Sequence, residues 1–299
     1  MYTLEEIQKR INNIQDLHSI VRTMKVLASI SIRQYEKAVE SLVDYSRTTE
    51  MGLQVVLRNR AALVDSKSKK VERNFGLIVV GSDQGMCGQF NEQISIYTLN
   101  SLERMGIPKE RRSVFALGSR AASRLESLGQ PVDHFLPMPS SVEGIRSSVQ
   151  DLLWQIDRWR ENEQRDTMYI FHNHLVSSSQ SRPRTTRFWP IDPDDFRFLE
   201  KRAWPTNNVP VYTMPWQDLF SAIIRQYLYI TISLVLAESL ASENTHRLLS
   251  MQVAERNIED KIAEFTSIYH QQRQNSITSE LLDVVSGFEI LMQDGRKKK

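Results

Sequence analysis

The octapeptide GSDQGMCG, residues 81–88, follows an apolar run and precedes an amphipathic one. That is where a strand–loop–helix unit places a nucleotide-binding loop. The stretch lacks the GxGxxG spacing and the Lys-Ser/Thr pair of a phosphate-binding loop, so it offers no cation to a β- or γ-phosphate. A tight turn, in which Gly85 and Gly88 let strand and helix approach closely, fits it better. His172 and His174 alternate on an expected strand and so share one face. Two imidazoles can ligate a metal, but a third ligand at useful spacing is not evident in the sequence, and surface or half-buried histidines are the expectation. Asp192, Asp194 and Asp195 stand in a Pro-containing stretch, where carboxylates cap or solvate a loop more often than they form an acid/base pair. Cys87 is the only cysteine, so no intramolecular disulfide can form, and a small buried residue is expected rather than a reactive thiol. Order along the chain gives no Ser/His/Asp or Cys/His arrangement. No catalytic residue, cofactor or metal is expected.

A chain of 299 residues can bury a sizeable core, and with 40% hydrophobic and 25% charged residues it has the composition of a soluble protein. A formal charge of +2 gives no electrostatic case for nucleic acid, which calls for a clustered basic face. The closing run Arg296 to Lys299 reads as a solubilising tail. MYTLEEIQKRI has neither a signal-peptide apolar core nor transit-peptide character. The most apolar run, Ile223 to Ala237, contains Arg225 and is shorter than the roughly 20 residues a membrane span needs. A chain that does not cross a bilayer, in an intracellular setting, is expected.

What must position these residues is dominated by two long helices. From Met1 to Arg60 there is no proline, and positions 4, 7, 11, 14, 18, 21, 25, 28, 32, 35, 39 and 42 are apolar in ten of twelve cases. That is a heptad seam, the pattern of a helix lying along another helix. His18 and Lys25 interrupt it. After Pro215 a second seam runs from Ile223 to Gln272 with twelve of fifteen positions apolar, and Pro215 with Thr213 marks its start. Each seam supplies what the other lacks, so the expected pairing is an antiparallel coiled coil of N- and C-terminal helices. The C-terminal helix is longer, and its phase slips by one residue after Gln272. Ile277, Leu281, Val284, Phe288 and Leu291 therefore form an overhanging apolar face that asks for an external partner. Burying about 100 Å² from each would be worth a few kcal/mol at about 25 cal/mol/Å².

The middle of the chain changes period. Residues 75–82, 113–118 and 167–175 read as strands, with helices near 89–105, 119–128 and 141–160. Such alternation argues for a largely parallel sheet flanked by helices. Residues 181–196 read as a loop or edge strand. The expected organisation is an N-terminal coiled-coil helix over 1–60, a central Rossmann-like α/β domain over 71–212, and a C-terminal coiled-coil helix over 213–299.

Three stretches carry a resemblance to the γ subunits of F-type ATP synthases. IQKRINNIQDLHSIVRTMKVLAS resembles the family's opening helix with its Met-Lys pair, here Met24 and Lys25. LIVVGSDQGMCGQFN is similar to the family's strand followed by SDxGLCGxxN, and YHQQRQNSITSELLDVVSG to its terminal signature. The resemblance spans the whole chain. It implies a non-catalytic central-stalk rotor that couples ion flow through a membrane ring of c subunits to the β catalytic sites. The partners it implies are α and β subunits, an ε subunit and the c-subunit ring, with membrane association through the complex on the cytoplasmic face of a bacterial plasma membrane. It also implies polar subunit contacts from Arg273, Gln274, Thr278 and Glu280 to the surrounding ring, and from Met24 and Lys25 to β-subunit segments. The chain departs from the family pattern at Ser242-Glu243-Asn244, where Ser-Glu-His is usual, at Phe288 after Gly287, and at LASISIR in the opening helix. These departures point to a divergent or alternate bacterial branch. From the residues alone, a nucleotide-using α/β enzyme with a coiled-coil arm and a structural tether stay open as alternatives.

Overall fold

A computed structural model describes residues 3–58, 74–161, 165, 167–177, 180–191, 196, 199, 202–208 and 210–297, with side chains to residue 286. Asp192, Asp194 and Asp195, and the side chains of Phe288 and Leu291, lie outside the described residues. In chain order the elements are α1 (Leu4–Arg58), β1 (Phe75–Val80), α2 (Phe90–Arg104), a short 3₁₀ turn (Lys109–Arg111) and β2 (Arg112–Leu117). There follow α3 (Ser119–Ser127), β3 (His134–Leu136), α4 (Gly144–Glu161), β4 (Thr167–Ser177), β5 (Gln180–Trp189) and α5 (Trp216–Lys297). The chain divides into two compact units, Met1–Leu27 with Leu249–Lys299, and Ala28–Leu248.

The larger unit is an α/β layer structure around a five-stranded sheet of order β3-β2-β1-β4-β5. β1 pairs in parallel with β2 and β4, and β3 with β2, while β5 returns antiparallel along β4. Strands β1 and β2 are nearly continuous apolar runs, as strands covered on both faces must be. One face packs Leu77, Val79 and Phe171 against Ile94, Leu102 and Leu125 of α2 and α3. The other packs Ile78, Val80, Phe115, Leu117, Met168 and Ile170 against α4, through Val149, Leu152, Ile156 and Trp159. Tyr35 of α1 and Ile232, Val235, Leu236 and Leu240 of α5 join that second face. The stretch 181–196, whose composition fits a loop or edge strand, supplies most of the edge strand β5. The three-residue β3 is too short to show a period, and sequence reasoning missed it.

α5 has a stretch of mean hydropathy 1.6, apolar enough to cross a membrane by length and composition. Only 28% of that stretch is buried; the fully buried part of the helix runs from Val235 to Thr245.

The smaller unit is the coiled coil. Val21, Met251 and Ile258 form its buried centre, with Ile14, Met24, Ala254 and Ile262 packed around them, and Ile7 and Ile11 continue the buried seam of α1. Each such side chain is worth about 2 kcal/mol relative to exposure. α1 begins with a reciprocal cap, in which Glu6 N–H donates to Thr3 Oγ1 (3.2 Å) and Thr3 N–H donates to Glu6 Oε2 (2.9 Å).

Two glycines away from the expected positions set the strand–helix approach. A Cβ on Gly81 would overlap Ala121 of α3. Gly118, at φ +95°, would place one 2.6 Å from the Ser82 backbone. Gly85 meets only the far end of Arg120, at 3.9 Å. Gly118→Ala should therefore lower unfolding stability by about 3 kcal/mol in a urea titration, whereas Gly85→Ala should change it by less than about 0.5 kcal/mol.

Candidate functional site

The SDQGMCG loop leaves the C-terminal end of β1, at the point where strand order reverses between β2 and β4. In sheets of this type that crevice takes ligands. Here protein groups fill it. Asp83 accepts hydrogen bonds from Ser119 N–H (2.8 Å) at the start of α3 and from Met138 N–H (2.6 Å), and Arg120 N–H donates to the Ser82 carbonyl (3.0 Å). A carboxylate thus answers the open N–H groups and positive end of α3, the role an anionic ligand would have. Asn91 completes the clamp, its Oδ1 accepting from Ser82 N–H (3.0 Å) and its Nδ2 donating to Ser82 Oγ (2.8 Å). Cys87 is buried beside them, and burial pushes its thiol pKa up, against the nucleophilic direction. The motif is a structural latch holding the β1–α2 loop to α3.

Against this loop stands the buried pair Glu243–Arg247 on α5, 2.5 Å apart, with Arg247 also 3.1 Å from Asn244 Oδ1 and 3.5 Å from the Gln84 carbonyl. Burial is the main cause that raises the Glu243 pKa, with Arg247 opposing it. Asn244, where a histidine is usual in the pattern described above, accepts from Arg247 and donates to the Leu240 carbonyl (2.8 Å). The amide therefore joins the buried network without adding a titratable group.

His172 and His174 do gain a common third partner. Glu238 of α5 lies 3.1 Å from His172 Nε2 and 2.9 Å from His174 Nδ1. Burial alone would raise the Glu238 pKa, but the two histidines more than offset it and hold the carboxyl below its usual range. Sequence reasoning missed Glu238 because 64 residues separate it from His174, and only folding brings strand and helix together.

In the coiled coil the polar interruptions of the two seams meet each other. Lys25 forms an ion pair with Glu255, and His18 Nε2 lies 3.5 Å from Glu259. Met24 is half-buried in the apolar cluster beside them. With these pairs as register, Leu4 at the start of α1 falls opposite about residue 275 of α5, since antiparallel helices climb alike. The tip beyond is accordingly bare. Arg273, Gln274, Thr278 and Glu280 are all exposed, as are Ile277, Leu281 (61%) and Val284 (71%). Their spacing puts the apolar three within an arc of about 40–60° on the helix, with Arg273 and Glu280 on one flank and Gln274 and Thr278 on the other.

A family profile for ATP synthase matches residues 3–291. The chain belongs to the ATP synthase gamma-chain family. Among its relatives, the ATP synthase gamma chain of Nautilia profundicola is 23% identical over 308 residues, covering 97% of this chain and 99% of the relative. That of Pasteurella multocida is 26% identical over 95% of this chain and 97% of its own. A chain in the Euglena gracilis mitochondrial ATP synthase OSCP/F1/c-ring structure shares the fold with a TM-score of 0.61 at 14% identity, covering 98% and 96% of the two chains. A central stalk/c-ring structure from Tetrahymena thermophila gives a TM-score of 0.57 at 16% identity, covering 79% and 99%. As a gamma-type chain this is a non-catalytic rotor subunit, which agrees with a β1–α2 loop closed by its own carboxylate.

The Lys25 contact holds the Glu255 pKa below the usual carboxylate range, its hydrogen bond being the largest cause. A depressed carboxylate contributes stability that is present above its unfolded pKa and lost as pH falls through the lower folded value. Lys25→Met should raise the Glu255 pKa toward the ordinary value in a carboxylate NMR titration and remove that acid-side loss.

Proposed function

We propose that this gamma-type chain turns inside a ring of alternating α and β subunits, with the bare tip of α5 as its bearing surface. The observation that carries this reading is the exposed Ile277–Val284 stripe on a helix whose partner α1 has already ended. Apolar area of this kind, left uncovered on a long solvated helix, is the mark of an interaction site. Arg273, Gln274, Thr278 and Glu280 flank it with groups whose hydrogen bonds to a ring can form and break as the helix turns. Met24 and Lys25 are the matching contact points lower on the shaft, toward β-subunit segments. The functional parts of the chain are the helices 1–60 and 213–299 as the shaft and residues 71–212 as the body that meets an ε subunit and the c-subunit ring. Membrane association then runs through the complex. The setting is the cytoplasmic face of a bacterial plasma membrane, supported by bacterial relatives along nearly the full chain.

Removing the chain from Arg273 onward should leave a subunit that still assembles with α and β but transmits less torque, read as less ATP made per ion moved or fewer ions pumped per ATP hydrolysed. Unchanged coupling would remove the tip from the contact surface. The isolated chain should hydrolyse no ATP, and an activity abolished by Asp83→Ala would favour a nucleotide-using enzyme instead.

A further inference from the structure

His172 and His174 stand two residues apart on β4 and face α5, where Glu238 projects toward both. The donor atoms His172 Nε2, His174 Nδ1 and a Glu238 oxygen lie within 4.8 Å of one another. For a tetrahedral ion bound at about 2.0–2.1 Å, ligand atoms sit about 3.3 Å apart, close to the 3.1 and 2.9 Å found here. His172 is buried (1% exposed), while the His174 side chain is 35% exposed, which leaves an approach for an ion and for a water as fourth ligand. His174 Nδ1 is close to the carboxylate but not aligned to donate a hydrogen bond to it. An ion seated between them takes the place of any proton the ring shares with the carboxylate. The site is also held ready by the backbone, because Ser242 Oγ, one turn beyond Glu238, donates to the Asn173 carbonyl between the two histidines (3.1 Å).

We propose that His172, His174 and Glu238 form a binding site for a divalent transition-metal ion of the zinc class, tying β4 of the sheet to α5. Two imidazoles and one carboxylate suit a borderline ion such as Zn²⁺ or Co²⁺; Mg²⁺ and Ca²⁺ ask for an oxygen shell that this trio does not provide. Arg182 and Arg184 lie opposite His174 and His172 on β5 and are both exposed, so their charges reach water. With three protein ligands, the ion acts as a clamp between two elements already in contact.

The test uses the full chain, free of any purification tag and stripped with chelator. Titrating Co²⁺ should produce the intense visible absorption of a tetrahedral site at one equivalent. A hundredfold excess of Zn²⁺ over its dissociation constant should raise the melting temperature by about 5 °C. His174→Ala, at a half-exposed position that tolerates truncation, should weaken binding by more than about 100-fold and abolish the shift. Glu238→Gln, which keeps an acceptor but loses the charge, should do the same, while His270→Ala on the exposed coiled-coil surface should change neither reading. Absence of the tetrahedral spectrum in the unaltered chain, or equal binding by His174→Ala, would overturn the proposal.

Discussion

The structure depends on the burial of α5 between Val235 and Thr245, where the helix is covered on every side. A surface helix buries one stripe, and a helix buried all round must find partners in every direction. Ile232, Val235, Leu236 and Leu240 meet the sheet side with α4, and Tyr35 of α1 belongs to the same cluster. The polar residues of the turn are answered individually: Glu238 by two histidines, Ser242 by a strand carbonyl, and Glu243 by Arg247. Apolar packing supplies most of the favourable free energy here. The polar partners fix rotation and height, since a helix shifted by one residue would leave several of them buried and unpaired.

The same division of labour holds in the coiled coil. Its apolar seam is permissive about register, because one large aliphatic fills a hole about as well as another. Lys25 with Glu255 and His18 with Glu259 remove that freedom. The interruptions in the two heptad patterns are therefore one feature seen from both helices. Register in turn decides where α1 ends along α5, and so how much of the tip stands bare. One ion pair and one histidine–carboxylate contact, each of modest individual worth, are enough to define that height.

Much of this was legible in sequence. The heptad seams at Leu4 to Leu42 and Ile223 to Gln272, the phase slip before Ile277, and the strand–helix alternation from Phe75 onward are periodic signals, and periodicity survives without knowledge of the fold. The family motifs were equally readable, but their physical roles were not. Asp83 and Asn91 gave no sign that they clamp α3 and the Ser82 backbone, because their partners lie on other elements. Gly88 takes the positive φ (+56°) of the expected tight turn, but Gly85 is open, and close approach occurs at Gly81 and Gly118, whose need for glycine arises only when α3 and the Ser82 backbone are in place. His172 and His174 shared a face as their spacing required, yet their third partner came from a helix far along the chain.

The account stands or falls on whether this chain turns. A biotin placed at Lys109→Cys, an exposed position in the body, can carry a bead, since the native Cys87 is buried and will not compete for the label. With the chain assembled with α and β subunits fixed to a surface, ATP should drive continuous one-way rotation of the bead, stopping when ATP is removed. Steady ATP hydrolysis beneath a bead that shows only Brownian wobble would contradict it.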